Sequence, residues 1–388
     1  MNTTFSRSDE SLFGRWWRTV DHWMIAAIIA ILAMGAILAL AASPAVAERI
    51  GLDTFYFAQR QFIVLPFVLM VMFAVSLLNR SGVRQLAVIC FSLAVLLMIF
   101  TLVNGTEIKG ATRWITLLGF SIQPSEFVKP CFAIIAAWMF SAWRLKEDFP
   151  GYMVAVGLYL TVVALLLMQP DVGMAILVSV VWGVQFFLAG LPMLLVLAIG
   201  IIFISGGFVA YFNFEHVQTR IDRFFDPASS EAYQVMRSLE AFRNGGVFGR
   251  GPGEGHVKAV LPDAHADFIF AVAGEEFGLV MTLLIVALFL FVVLRGFGRA
   301  FKETDLFVQL AVAGLLVQFG LQAIINMAST LNLMPTKGMT LPFISYGGSS
   351  MMALAIGLGM VLALTRERPG QENALRDLGG RDMGGRLI

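Results

Sequence analysis

LPDAHADFIFAVAGEEFGLVMTLLIVALFLFVVL, residues 261–294, begins polar and ends as hydrocarbon. Asp263, His265 and Asp267 crowd its start, and from Phe268 to Leu294 it is apolar apart from Glu275 and Glu276. That run exceeds the ~20 residues a helix needs to cross a bilayer. Ionisable groups are expensive inside a membrane and tend to be functional there. A helix with acids at its mouth therefore poses both the fold and the function.

The rest of the chain agrees with a membrane solution. Of its 388 residues 58% are hydrophobic and 14% charged, whereas soluble domains carry roughly 25% charged and 45–50% apolar residues. The mean hydropathy is +0.81. This excess of apolar surface predicts an all-α polytopic membrane protein. Net charge is +1, so nothing points to nucleic acid. Cys90 and Cys131 have no metal-ligand spacing and read as reduced thiols, able to pair only if the fold joins them.

Counting apolar runs gives about ten spans, near 22–43, 57–78, 83–103, 123–143, 151–168, 172–189, 191–212, 267–294, 305–328 and 342–364. The first reads as a span rather than a cleaved leader, because Met24–Ala42 is longer than a signal core. Short loops expected on the side of the termini carry Arg80, Arg84, Arg144, Lys146, Arg295, Arg299 and Lys302, so both termini are expected in the cytoplasm. The expected organisation is a cytoplasmic segment over 1–21, a membrane domain over 22–365 and a flexible polar tail over 366–388. A large extracytoplasmic loop, 213–266, lies between spans 7 and 8. Within it, Tyr233, Met236, Leu239 and Phe242 recur at spacing three, as in an amphipathic helix lying at the interface. The glycines of 245–255 lack the G-x-G-x-x-G spacing of a dinucleotide site and read as a hinge.

Three clusters carry chemistry. Asp267 opens the entering helix, where a carboxylate suits either a base or an N-cap. On a helical wheel Ala271, Gly274 and Gly278 share its face, leaving a smooth surface for a lipid chain or a second helix. Glu275 turns away from Asp267 and Glu276 points the opposite way, toward ion pairs or helix contacts. The second cluster is NGTEIKGATRWITLLGFSIQPSEFVK, 104–129. There Gln123-Pro124-Ser125-Glu126 starts a helix, and Lys129 can pair with Glu126 at i,i+3. Arg113 and Lys129 are candidates for an anionic headgroup, or interfacial anchors. The third is NLMPTKGMTLPFISYGGSS, 332–350, whose prolines and glycines break the helix and whose Lys337 offers a cation; Ser349 is a further polar candidate. In the preceding span Gln318, Gln322 and Asn326 form one polar stripe, either inter-helix glue or a cavity wall.

With NGTEIKGATRW, QPSEFVK, QPDVG, LPDAHADFIFAVAGEEFG and LPFISYGGSS together, residues 20–365 resemble the SEDS (shape, elongation, division, sporulation) family of peptidoglycan polymerases. The lysine of MPTKG points to its cell-division branch. The resemblance implies polymerisation of lipid II at the septum of the bacterial inner membrane. Asp267 would be the catalytic aspartate and general base. Arg113, Lys129 and Lys337, with His265 and Asp263, would sit at the headgroup and diphosphate. The implied partners are a class B penicillin-binding protein as transpeptidase, small single-span division proteins and membrane lipid. A divalent cation, Mg or Mn, is a conceivable cofactor. Two departures stand out: Asp263 replaces the usual glutamate, and Ser121-Ile122 replaces a basic residue found in some members. The alternative function is a lipid II flippase, which would need its key groups near the midplane.

Overall fold

A computed structural model describes residues 11–108, 111–117, 120–145, 148–190, 193–213, 215, 218, 222, 230–335 and 338–367. Lys337 and most of 366–388 thus lie outside the described residues. A short helix α1 (Leu12–Thr19) precedes α2 (His22–Arg49), α3 (Tyr56–Ser76) and α4 (Arg80–Asn104). Strands β1 (Thr106–Ile108), β2 (Ala111–Leu117) and β3 (Phe120–Ile122) follow, then α5 (Pro124–Leu145), α6 (Gly151–Met168), α7 (Val172–Leu188) and α8 (Met193–Asn213). The chain continues with α9 (Ser230–Gly245), α10 (Val257–Val260), α11 (Ile269–Ala300), α12 (Leu306–Thr330) and α13 (Gly348–Leu364).

The fold is all-α and polytopic, as composition requires. Among the described residues seven helices are long and apolar enough to cross a membrane: α2 to α6, α11 and α12. The apolar helices α7 and α13 are shorter. Each of the ten expected spans contains one helix, with shifted ends: the last begins at Gly348 rather than 342. Polar caps start these greasy helices. Asp21 accepts from the Trp23 and Met24 N–H groups, Asn79 from Gly82, and Asp305 from Phe307, satisfying donors that hydrocarbon cannot.

Within 104–129, expected as an external loop between two spans, the three strands form an antiparallel sheet, with Thr106 opposite Trp114 and Ile115 opposite Ile122. Helix α5 lies at the centre, packed on α4, α6, α12 and α13. Cys90 on α4 is half-buried and Cys131 on α5 is buried, both free thiols. Helix α11 packs on α2, α9 and α12.

Two expectations fail around α11. Gly278 has φ 74 and ψ −167, so the helix is broken there. The glycine run 245–255 is no hinge but the splice that closes the break. Gly246 O and Val247 O accept from the Leu279 and Val280 N–H groups at 2.9 and 3.2 Å. Arg250 N and Gly251 N donate to Glu275 O and Glu276 O at 3.0 and 2.9 Å. A broken helix at membrane depth is tolerable only when its freed backbone groups find partners, and here a neighbouring segment supplies them. Gly249 must be glycine: its φ is 81, and a Cβ would stand 2.2 Å from Glu276 O.

The small face below Asp267 is consequently not open to lipid. A Cβ at Gly274 would meet the Phe242 ring at 2.3 Å, so α9 covers that face. Helix α9 also buries Val235, Ser238 and Ala241, and Ser238 Oγ donates to Thr330 O at 2.7 Å. Tyr233 and Met236, expected on its apolar underside, are exposed. Spacing located the helix and part of its packed face: Phe242 meets α11, while Val235, Ser238 and Ala241 are buried in place of Tyr233 and Met236.

Candidate active site

Asp267 stands in a turn before α11, not in the helix. The N-cap is Phe268, with no side-chain cap hydrogen bond, which removes the capping role from Asp267. The turn is made at Asp263, whose φ is 52 and whose carbonyl accepts from Ala266 N at 2.9 Å and Phe268 N at 3.4 Å. Aspartate tolerates the left-handed region better than most side chains, a local reason for Asp at this position.

The turn is sewn onto 338–346. Ser345 Oγ donates to Ala266 O at 2.6 Å and accepts from Leu341 N at 2.8 Å. Tyr346 N donates to His265 O at 3.0 Å. Asn326 Nδ2 donates to Asp267 O at 3.0 Å and Met339 O at 2.7 Å. The Asp267 carboxylate is half-buried beside Gly338, whose Cβ position lies 3.9 Å from Oδ2.

A second set of polar groups reaches the same segment from inside. Lys129 pairs with Glu126 at 2.7 Å, as the i,i+3 spacing predicted, and donates to Gln322 Oε1 at 3.0 Å. Gln322 Nε2 donates to Thr340 O at 3.1 Å, and Thr340 Oγ1 meets Ser350 Oγ at 2.8 Å. Ser349 Oγ accepts from Gln123 N and donates to Ser121 O, both 3.1 Å. Lys129, Glu126, Gln318, Gln322 and Asn326 are all buried. The α12 stripe therefore joins two candidates: Gln322 leads to Lys129, and one turn on Asn326 leads to Asp267.

Other candidates are placed elsewhere. Arg113 is not held out toward a headgroup. Its Nε donates to Gln169 O at 2.8 Å, a second nitrogen donates to Pro170 O, and Nη1 lies 3.4 Å from Asp171 Oδ2. It fastens the α6–α7 turn, where Asp171 caps α7 through Met174 N. Burial raises the pKa of Asp171, against the pull of the Arg113 charge, and its carboxylate also feels Glu126 and Lys129. Glu275 and Glu276 take up the expected polar contacts, and both engage 253–258. Glu275 accepts from His256 N and Val257 N, and Glu276 accepts from Gly253 N and pairs with Lys258. Lys258 also donates to Ala41 O of α2 at 3.0 Å. These acids hold the splice.

One group escaped sequence reading. Arg60, on the first turns of α3, lies over the Tyr56 ring at 4.7 Å. His265 stacks 4.1 Å from Phe57 and 5.4 Å from Tyr346. A lone arginine in an apolar run, FAQRQF, was the available signal. As for metals, no three His, Cys, Asp or Glu side chains among the described residues gather in a way that could hold an ion.

The family model described as cell cycle protein (FtsW/RodA/SpoVE) matches residues 21–369. The chain belongs to this SEDS family. It is 44% identical over 97% of its length to the "Probable peptidoglycan glycosyltransferase FtsW" of Caulobacter vibrioides, covering 96% of that relative. The protein of the same name from Geobacter sulfurreducens is 33% identical over 88% of this chain and 94% of its own. Among solved structures, a chain of a peptidoglycan synthase complex, described for coordination of polymerization and crosslinking, matches with TM-score 0.75 and 28% identity over 91% of this chain and 99% of that one. The Thermus thermophilus rod shape determining protein RodA matches with TM-score 0.65 and 28% identity, over 90% of this chain and 97% of that one. Family membership and fold thus agree with the resemblance carried by the motifs.

Proposed function

We propose that the chain is a peptidoglycan glycosyltransferase that polymerises lipid II into glycan strands during septal wall synthesis. Its relatives bear that activity in their names. The observation that carries the reading is the placement of Asp267: a half-buried carboxylate in a turn fixed by Asn326 and Ser345. In the reaction Asp267 takes the proton of the acceptor sugar's 4-hydroxyl. The oxygen attacks the donor's anomeric carbon, and the diphosphate lipid leaves with inversion. Such general-base help is worth about 10²–10⁴ in rate. A lipid-anchored substrate presents its sugar just above the bilayer, where α11 emerges. Lys129, ion-paired with Glu126, reaches the 338–346 segment through the hydrogen-bond chain from Gln322 to Thr340, and His265, Asp263, Arg60 and Lys337 are candidates for the headgroup. Arg113 acts at one remove, by holding the α6–α7 turn near Glu126 and Lys129. A Mg or Mn ion would take most of its ligands from substrate phosphates, the usual habit of Mg²⁺.

The accompanying topology has ten spans over 22–365, the 213–266 segment outside, and both termini in the cytoplasm of the inner membrane. The matched synthase complex supports a transpeptidase partner, a class B penicillin-binding protein; small single-span division proteins complete the proposed assembly. The test is polymerisation of lipid II by the purified protein with its transpeptidase. Wild type makes polymer, and Asp267→Asn, equally heat-stable, makes none. If both proteins make none while liposomes show lipid II crossing, the enzyme reading fails in favour of a flippase.

A further inference from the structure

Arg84 lies one turn inside α4, which starts at Arg80, and takes no part in the reaction above. Its half-buried guanidinium fills a notch between α4, α5 and α12. Its Cζ stands 4.0 Å from the ring centroid of Phe307 on α12 and 5.4 Å from that of Trp138 on α5. Ring faces attract a cation but leave the N–H donors of the fork unused. The Arg84 Nε is buried with no hydrogen-bond partner. The acids of this corner are spent on Arg80, which pairs with Glu303 at 3.1 Å and with Asp305 Oδ2 at 2.9 Å. The other Asp305 oxygen caps α12 through Phe307 N. Two helices start here, α4 after Asn79 and α12 after Asp305, and helix starts carry partial positive charge.

The notch lies at the membrane face shared by the termini. Ser76, at the end of α3, accepts from Trp16 Nε1 of α1 and, on its carbonyl, from Arg366; Arg80 follows four residues on. One turn deeper than Arg84, Val88 and its neighbour Ile89 are exposed and apolar, on a helix long enough to span. We propose that Arg84 is the seat of a phospholipid site: the phosphate of an anionic lipid accepts from the Arg84 fork, and an acyl chain runs along Val88 and Ile89. A guanidinium fork matches phosphate, and basic pockets between spanning helices on the cytoplasmic side suit anionic headgroups. A headgroup with its own ammonium finds no partner for it, because Arg80 occupies both carboxylates. The bound lipid clasps α4 to α5 and α12, whose opposite ends carry Lys129 and Asn326. The site is independent of the polymerase chemistry.

The test is native mass spectrometry of the full-length protein, freed of lipid in detergent, with phosphatidylglycerol, phosphatidylcholine or inorganic phosphate at equal concentration. Wild type should hold one phosphatidylglycerol with a Kd about tenfold below that of phosphatidylcholine, and inorganic phosphate should not displace it. Arg84→Gln should weaken phosphatidylglycerol about tenfold, the scale of one charge-assisted hydrogen bond, and leave phosphatidylcholine unchanged. Arg15→Gln, at an exposed arginine of α1, should change neither. Phosphatidylglycerol with a photoactivatable headgroup should label peptides covering 80–88 or 303–309. Equal affinity for the two lipids, displacement by inorganic phosphate, an unchanged Arg84→Gln, an equal loss in Arg15→Gln, or labelling only elsewhere would overturn the proposal. If Arg84→Gln folds poorly, the lipid preference and the labelled peptides decide alone.

Discussion

Asn326 spends both amide protons on backbone carbonyls, those of Asp267 and Met339, and so clamps the acid's turn to the segment facing it. An unmatched buried carbonyl costs about 1–3 kcal/mol. Asn326→Leu keeps the volume and removes both bonds. Polymer formation is expected to fall about tenfold, the rate equivalent of about 1.4 kcal/mol, while the protein remains folded. Initial rates from lipid II, read beside Tm, check this; an unchanged rate would remove Asn326 from the site.

Lys129 and Glu126 form a buried ion pair 2.7 Å long. Removing one partner of such a pair costs about 3–5 kcal/mol, because the other charge is stranded, whereas removing both is far cheaper. Lys129→Met should therefore lower Tm sharply, and adding Glu126→Gln should recover most of it. Activity should stay lost in both, since the Lys129 hydrogen bond that holds Gln322 toward Thr340 is gone. Recovered activity in the double variant would make the pair a matter of stability alone.

Gly249 approaches the backbone at the α11 break too closely for any side chain. With φ positive, left-handed strain of about 1–3 kcal/mol adds to the clash. Gly249→Ala should reduce detergent-stable yield, whereas alanine at Gly157, which has nothing within 4 Å of its Cβ position, should cost no more than the usual exposed-helix change. Size-exclusion profiles of the two variants make the comparison.

Asp21 bridges Arg295 and Arg299 at 2.8 and 2.9 Å. Burial pushes its carboxyl up. The Arg295 hydrogen bond, the Met24 N–H and the two arginine charges outweigh that, so its pKa lies below the ordinary 3.8. A lowered folded pKa means more protons bound in the unfolded state, so stability rises with pH across that window. The contribution is whole above 3.8 and is lost as pH falls through the lowered value. Tm of wild type should drop there more steeply than Tm of Asp21→Asn, which starts lower at neutral pH. Parallel curves would contradict this.

Local spacing made some of this legible. The Glu126–Lys129 pair and the Gln318–Gln322–Asn326 stripe follow from helical periodicity, and Asp267 from the polar mouth of an apolar run. What the stripe touches did not follow, because Thr340 and Met339 come from a distant broken segment. Arg113 read as a headgroup ligand because Asp171, its partner, lies far along the chain. The capping role for Asp267 failed by one residue: helix start signals are soft, and Phe268 took the position. Gly278 read as part of a smooth face because a wheel assumes an unbroken helix.

The splice at Gly278 has a practical corollary for labelling. Residues 245–258 look like an external loop open to tags. Yet their amides carry part of the α11 hydrogen bonding, and Lys258 is wedged between Glu276 and α2. An epitope inserted there would unzip a transmembrane element rather than decorate it. The α2–α3 turn is the better docking point for a fluorophore: Gly51, Leu52 and Asp53 are exposed, and a Cβ built on Gly51 would meet nothing within 4 Å. A probe there would report on Arg60 and its neighbours without disturbing what holds the acid.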